Sequence, residues 1–502
     1  MAVPPTLNTL EPAEVPQFSD DTPVVLHGSG YSAACTVTGP DGPLPTTMQD
    51  ANHLRVTVAE STLETAGTFG VRVDCPNGTT NPLPLVVRPS PAGTHWVFPV
   101  ATNVDAWYST FHVVNPTGRD ATLTLRYLVD PGAMALRPSA VFTVPARQLG
   151  FLDTAGLDTG PGTIAFSVVV DSDVAVLPIL VGRNDAAPDM GFLHVGQTQP
   201  ITAGAVTLGI TGTPLTVLLA NPGNTQADVT LVFTQDAGAT TTLNQPVPPG
   251  ARATVLLPNE VTNNHWIALT SSQPVYAATF SGSAPNSMLD PEPFTQPRRR
   301  WDFLGAGGGL WRNVLYVAND TGSTFNAAIT ALGLDGMTVF NTTTELFSGD
   351  TDQLYPGING GIITQPAWVR VDAPSPVLAA GAVFSASGND AGCLLANSVA
   401  AQDLALLGGK QGDTWRTDIL LANPNAVAVD AQLTFVLDLL PPVVVPLTLE
   451  PNSLVLRVSP TAPAGEEMNV EALVSANGPL LGMLRRARQD NTVLMCSPAV
   501  TP

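Results

Sequence analysis

The sequence predicts an all-β chain made of several β-sandwiches in tandem. Three observations carry that reading. One short pattern of residues recurs four times at intervals of about 100 residues, the size of one sandwich. Within the copies, apolar and polar residues alternate with period two. The 44 glycines and 47 prolines are spread along the chain as turn punctuation rather than gathered into one tract.

The pattern is an apolar run, an asparagine corner and an alternating run. The first copy reads Trp107-Tyr-Ser-Thr-Phe-His-Val-Val, then Asn115-Pro-Thr-Gly, then Ala121-Thr-Leu-Thr-Leu. The second has Asn221-Pro-Gly-Asn, the third Asn319-Asp-Thr-Gly and the fourth Asn423-Pro-Asn-Ala, each between the same kinds of run. Asparagine bonds its own backbone two residues on, and a following proline fixes φ and ends ladder pairing. The four asparagines are therefore expected at equivalent corners where the chain crosses between sheets. Trp107, Trp311 and Trp415 precede three of the runs, while Gly212-Thr-Pro214 stands in the second. They are expected to seal one end of each sandwich, with a carbohydrate-stacking platform as the alternative.

Each copy continues through a mid-module turn (Val144-Pro-Ala, Val247-Pro-Pro-Gly250, Tyr355-Pro-Gly357, Glu450-Pro-Asn452) to a late strand. After that a break and one further strand are expected, at Asp173-Val-Ala-Val, Gln273-Pro-Val-Tyr, Ser375-Pro-Val-Leu and Gly478-Pro-Leu-Leu. The predicted divisions are 1–90 for a distinct first module and 91–200, 201–297, 298–402 and 403–502 for the four repeats. Modules in series suggest a rod or lobed particle.

The first module opens on Leu10-Glu-Pro12 and carries Gly28-Ser-Gly30-Tyr31 after an apolar strand. His53-Leu-Arg-Val-Thr-Val58 alternates, and Val71-Arg-Val-Asp-Cys75-Pro-Asn77-Gly leads to a closing strand, Leu83–Arg88. Over about 85 residues this resembles an IPT/TIG domain, an immunoglobulin-like module of bacterial surface proteins, some phage tail proteins and some receptors and transcription factors. The resemblance implies a spacer or binding module and no chemistry. The four repeats resemble the tandem modules of large secreted bacterial surface proteins, which read Trp-x-Thr-x-Leu-x-Leu-x-Asn-Pro. The expected fold class is thus all-β, with multidomain tandem immunoglobulin-like β-sandwiches.

Composition narrows the function. Only 12% of residues are charged and 44% are hydrophobic, so Thr, Ser, Asn, Gln, Gly and Pro must cover the surface. A net charge of −21 makes nucleic acid a poor partner. Arg298-Arg299-Arg300 and Arg485-Arg486 with Arg488 are expected to be a linker and a solvated strand end, or else a dock for an acidic neighbour. No transmembrane segment is expected: Leu439–Leu447 is short and holds three prolines. The first residues, Met1-Ala-Val-Pro-Pro-Thr, show no basic or apolar leader region. Either a signal peptide was removed from this numbering, which fits an extracellular or cell-surface location, or the chain is assembled in a cytosol as part of a virion.

Cys35 and Cys75 lie on two candidate strands and are candidates for a bridge. Cys393 and Cys496 are expected to be small buried apolar residues. No HExxH, GxSxG or P-loop occurs. Gly305-Ala-Gly307-Gly308-Gly309 reads as an irregular loop. The six histidines (27, 53, 95, 112, 194 and 265) lack metal-ligand spacing, and five of them read as ordinary pleat residues on strands or strand edges. The pairs Asp20-Asp21 and Glu466-Glu467 sit beside turns without a calcium-loop pattern. No catalytic, cofactor or metal residues are therefore assigned. The expectation is a non-enzymatic structural protein that assembles with other copies of itself, or with a surface or particle component, as a filament, surface layer or virion. The alternative is an adhesin-like array recognising a glycan or host surface.

Overall fold

The computed structural model describes residues 4–104, 107–131, 139–153, 164–184, 191–208, 215–235, 238–258, 260–261, 265–281, 291–306, 311–334, 336–355, 366–385, 391–395, 399–489 and 494–502. It is an all-β fold of several sheet domains. The only helix among the described residues is the single turn Glu60–Leu63. No helix there is long and apolar enough to cross a membrane.

Residues 6–88 form two facing sheets. Thr6–Glu11, Thr22–Ser29, His53–Val58 and Thr46–Asp50 make one. Glu14–Pro16, Leu83–Arg88, Gly67–Cys75, Thr36–Gly39 and Gly42–Leu44 make the other, with Gly78–Thr79 at its side. Between them lie Val24, Leu26, Leu54, Val56, Val71, Val73, Leu85 and Val87, the inward members of the alternating runs. Cys35 and Cys75 are joined by a disulfide.

Each repeat has seven strands with one topology, seen plainly in the second. Its longest strand, His265–Ser281, belongs to two sheets. The first half pairs with Ala227–Gln235 and with the opening strand Ile201–Leu208. The second half pairs with Leu215–Asn221 and with Glu292–Pro293. Thr240–Val247 and Ala251–Leu256 form the outer edges of the two sheets. The long strands of the other repeats are Ile164–Asn184, Ala367–Ser385 and Met468–Arg488. The break expected near Asp173, Gln273, Ser375 and Gly478 is thus not a break. It is the crossing point where one continuous strand leaves the first sheet and joins the second. In repeat two, pairing to Ala227–Gln235 ends at Ser271 and pairing to Ala220 begins at Tyr276, with Pro274 between. A residue without an N–H costs nothing where neither ladder needs one.

The four asparagines occupy the same corner. In each, Nδ2 donates to the carbonyl four residues on and to the carbonyl that ends the fourth strand: Arg119 and Val144, Thr225 and Val247, Ser323 and Leu346, Val427 and Leu449, at 2.7–3.1 Å. Each Oδ1 accepts the backbone N–H two residues on. All four asparagines are buried. The side chain satisfies backbone groups that the change of sheet would otherwise strand.

The repeats do not form a rod. The opening strand of each lies on the second sheet of the repeat that follows. Gly93–Val104 contacts Leu215–Asn221 and His265–Ser281, Ile201–Leu208 contacts Trp311–Ala318, and Arg298–Ala306 contacts Trp415–Ala422. The series then closes, because the opening strand of repeat four, Ala401–Gln411, lies on Ile164–Asn184 of repeat one. Head-to-tail contacts that close generate a ring. The second sheets are consequently buried on both faces. In repeat four, Ile419 and Leu421 enter the core shared by repeats four and one, while Leu420 and Ala422 enter that of repeat three. In repeat three, Leu315 and Val317 face inward, while Val314 and Tyr316 pack into repeat two. Two-sided burial is why these strands read as unbroken apolar runs, whereas the strand after each asparagine alternates.

Candidate binding cleft at the ring seam

The junction between repeats four and one differs from the other three. Three residues before the corner asparagine, the side chain points at the preceding repeat. Leu218, Tyr316 and Leu420 hold that place at three junctions. At the seam it is His112, whose Nδ1 lies 3.3 Å from Glu471 Oε1. Both side chains are buried. Glu471 Oε2 accepts the Gly408 N–H at 2.5 Å. Burial first, then the nearby Arg486, Arg183 and Lys410, pushes His112 down to about 3. Burial also raises the Glu471 carboxyl well above its ordinary value. Burial thus favours the uncharged form of both groups. Gly408 has a φ of 92°, and an added Cβ would lie 2.8 Å from Leu193 Cδ2, so a bulge in Ala401–Gln411 admits repeat one.

The first module straddles this seam. Its last strand ends at Arg88, which reaches repeat four through Asp403 at 2.8 Å, Ser475 Oγ at 2.8 Å and the Ala476 carbonyl at 3.2 Å. Its other side is held by repeat one. Arg147 Nη1 donates to the Phe18 carbonyl at 2.7 Å, and Nη2 meets Glu60 at 2.6 Å and Asp20 at 2.8 Å. Arg119 pairs with Glu64 at 3.2 Å.

Arg147 occupies a left-handed position, with φ 61°. The equivalent turn residues of the other repeats are Gly250, Gly349 and Asn452, at φ 64°, 78° and 52°. Glycine and asparagine are the residues that tolerate this backbone; arginine costs about 1–2 kcal/mol there. The guanidinium contacts to the first module offset that strain. Phe18, its acceptor, is also left-handed at φ 63°.

Between module and ring lies a cleft of about 540 Å³. Leu404, Val436 and Leu473 supply apolar surface, and Gln17, Gln432 and Ser475 supply polar groups. It has the size and mixed lining of a small-molecule site.

Other residues singled out in the sequence are spent on structure. Arg298–Arg300 form not a linker but the start of an opening strand, with Arg300 3.2 Å from Asp302. Arg485 and Arg486 are buried rather than solvated. Arg485 bonds Asp418 at 2.6 Å, and Arg486 lies 4.2 Å over the Trp415 ring. Trp415 is itself buried, so it offers no stacking platform. The side chains of Trp107 and Trp311 fall outside the described residues. Cys496, expected to be a simple apolar residue, is disulfide-bonded; the side chain of Cys393 falls outside the described residues. Gly305 forms a strand bulge at φ 83°, and 307–310 lie outside the description. Asp20 pairs with Arg147, Asp21 receives the Glu60 N–H, and Glu467 pairs with Lys410. His27, His53 and His95 bond the carboxylates of Glu11, Asp50 and Asp171. Among the described residues no group of three His, Cys, Asp or Glu is placed to hold a metal ion.

No protein-family profile matches the chain, nor does any curated protein sequence. Among solved structures, similarity is found to an auxiliary nutrient binding protein from Bacteroides thetaiotaomicron, at 13% identity and a TM-score of 0.16, over 64% of this chain and 79% of that one. The full extracellular region of plexin A4 is similar at 9% identity and a TM-score of 0.19, over 97% of this chain and 48% of that one. Scores this low carry no argument about function.

Proposed function

We propose that the protein is a non-enzymatic extracellular structural protein, a rigid ring that works by association with other copies or with a surface. The ring closure carries this reading. Both faces of the inner sheets are committed to neighbouring repeats, so the outer strand edges and the loops are what remain for contact. The low charged fraction fits an exported β protein, and the IPT/TIG-like pattern of the first module fits a surface setting. Negative-stain microscopy of the purified chain, alone and with cells or membranes, tests it. Filaments, lattices or decorated surfaces are expected. Isolated rings together with turnover of a substrate would overturn it.

A second reading is a binding protein, and the seam cleft is the observation that favours it. In this reading a small glycan occupies the space beneath Phe18. Glycan-array binding that is lost on Gln432→Ala or Ser475→Ala, with the fold intact, is the expected outcome.

A further inference from the structure

We infer that two copies of this chain pair through the outer edge of repeat three, with Thr338–Leu346 of each running antiparallel to the other. This deepens, and rests on, the reading of the protein as a self-associating unit.

The fourth strand forms the outer edge of the first sheet in every repeat. Such an edge presents unpaired N–H and C=O groups, which proteins usually guard with proline, charge or brevity. Repeats two and four are guarded, by Pro246 within Thr240–Val247 and by Pro446 within Val443–Leu449. In repeat one the edge Ser139–Val144 is six residues long and runs into Pro145. Thr338–Leu346 has nine residues, no proline and one charge, Glu345. Among the described residues its only strand partner is Phe325–Leu332.

The edge is complementary to itself. An antiparallel pair centred on Thr342 sets Asn341 opposite Thr343 and Phe340 opposite Thr344, short of the bulge at Val339, and Met337 and Phe347 flank that stretch in each copy. Met337 is 65% exposed and Phe347 55% exposed. The pairing brings each methionine to the same end of the joined strands as the other copy's phenylalanine, where sulfur–aromatic packing is favourable. It also keeps the two Glu345 carboxylates at opposite ends, so no like charges face each other. A basic partner, otherwise suited to a chain of net charge −21, would find almost nothing acidic here. A twofold pairing closes on itself and gives a dimer, with two first sheets joined as one.

Sedimentation of the full chain over a concentration series tests this. A dimer is expected, weakened about tenfold or more by N341K/T343K and more mildly by Phe347→Ser. Circular dichroism shows whether each variant keeps its fold. Cysteine cross-linking reads the register independently. Thr342→Cys should link to itself, and a mixture of Asn341→Cys and Thr343→Cys chains should link across, because opposed strand residues have disulfide-compatible spacing. If the chain associates but the edge variants change nothing and the cross-links fail, the edge is wrong and the assembly reading stands. If the chain stays a single ring throughout and Thr342→Cys never self-links, the inference falls, and assembly with its own kind falls with it.

Discussion

His112 of repeat one and Glu471 of repeat four form a buried pair across the ring seam, 3.3 Å apart and 359 residues distant in sequence. Elsewhere Leu218, Tyr316 and Leu420 occupy the place of His112. A polar pair adds little net stability over well-packed apolar groups, but it penalises wrong partners. It marks which repeats must meet when the ring closes.

Removing one member should therefore hurt more than removing both. Glu471→Ala leaves the imidazole and the Gly408 N–H without their partner, at about 1–3 kcal/mol in urea unfolding. The double change H112L/E471L should recover the part of that loss that comes from the imidazole, the Gly408 N–H staying unpaired. A double variant no better than the single one would sink the pairing argument.

Stability should vary least between about pH 4.5 and 6.5 and fall on both sides. Burial holds His112 and His194 at about 3 in the fold, below their ordinary value of 6.5, so the unfolded chain takes up more protons as pH drops through that interval. Burial raises Glu471, and raises Glu292 to about 8, so the folded chain holds more protons above 4.5. Glu292 is half-buried as a residue, but its Oε2 is sealed from solvent and has no partner among the described residues. The two effects oppose each other in the overlap. Thermal melts across pH 3–9 would show it, and His112→Leu should flatten the acid limb.

At the corners, Asn423→Ala should cost about 2–4 kcal/mol, since several buried backbone groups lose their partners together. Asn423→Asp should be nearly as damaging, because a carboxylate cannot donate to the Val427 and Leu449 carbonyls. An unchanged midpoint for either variant would contradict the shared-corner account.

Arg147→Gly separates strain from clamping. The turn is relieved, while the first module loses its hold on repeat one. The ring should melt as before or slightly higher, and limited proteolysis between Arg88 and Gly93 should speed up. Combining it with Arg88→Ala should release the module fully.

Deleting residues 201–297 should not produce a graded loss, as it would in a series of independent modules. It bares Val314 and Tyr316 and removes the neighbour of Gly93–Val104. The shortened chain should aggregate or unfold well below the full chain, as seen by calorimetry and size-exclusion chromatography.

The sheets and corners were legible because they are local. Alternation and an asparagine at a fixed place report a strand and a turn directly. The ring was written less openly. The unbroken run Val217-Leu-Leu-Ala220 signals burial on two faces, but an apolar run says nothing about which repeat supplies the second face. Pro274, Pro376 and Pro479 looked like strand ends because a proline inside a ladder is normally excluded; here each stands where the ladder changes sheets. His112 and Arg147 stand out only when the copies are aligned against one another. Nothing near His112 in sequence points to Glu471.

The way each repeat is stitched has a mechanical consequence. The tail of a repeat returns to its own opening strand, as Gln197 to Val97, Thr295 to Ala205 and Val500 to Ala405. Among the described residues no backbone hydrogen bond crosses from repeat four to repeat one. Under tension between its ends, the molecule would part at the seam before any strand is sheared. The salt bridges of Arg88 and Arg147 would bear the first load. Only after the ring had opened into a four-bead string would the sheets themselves be pulled.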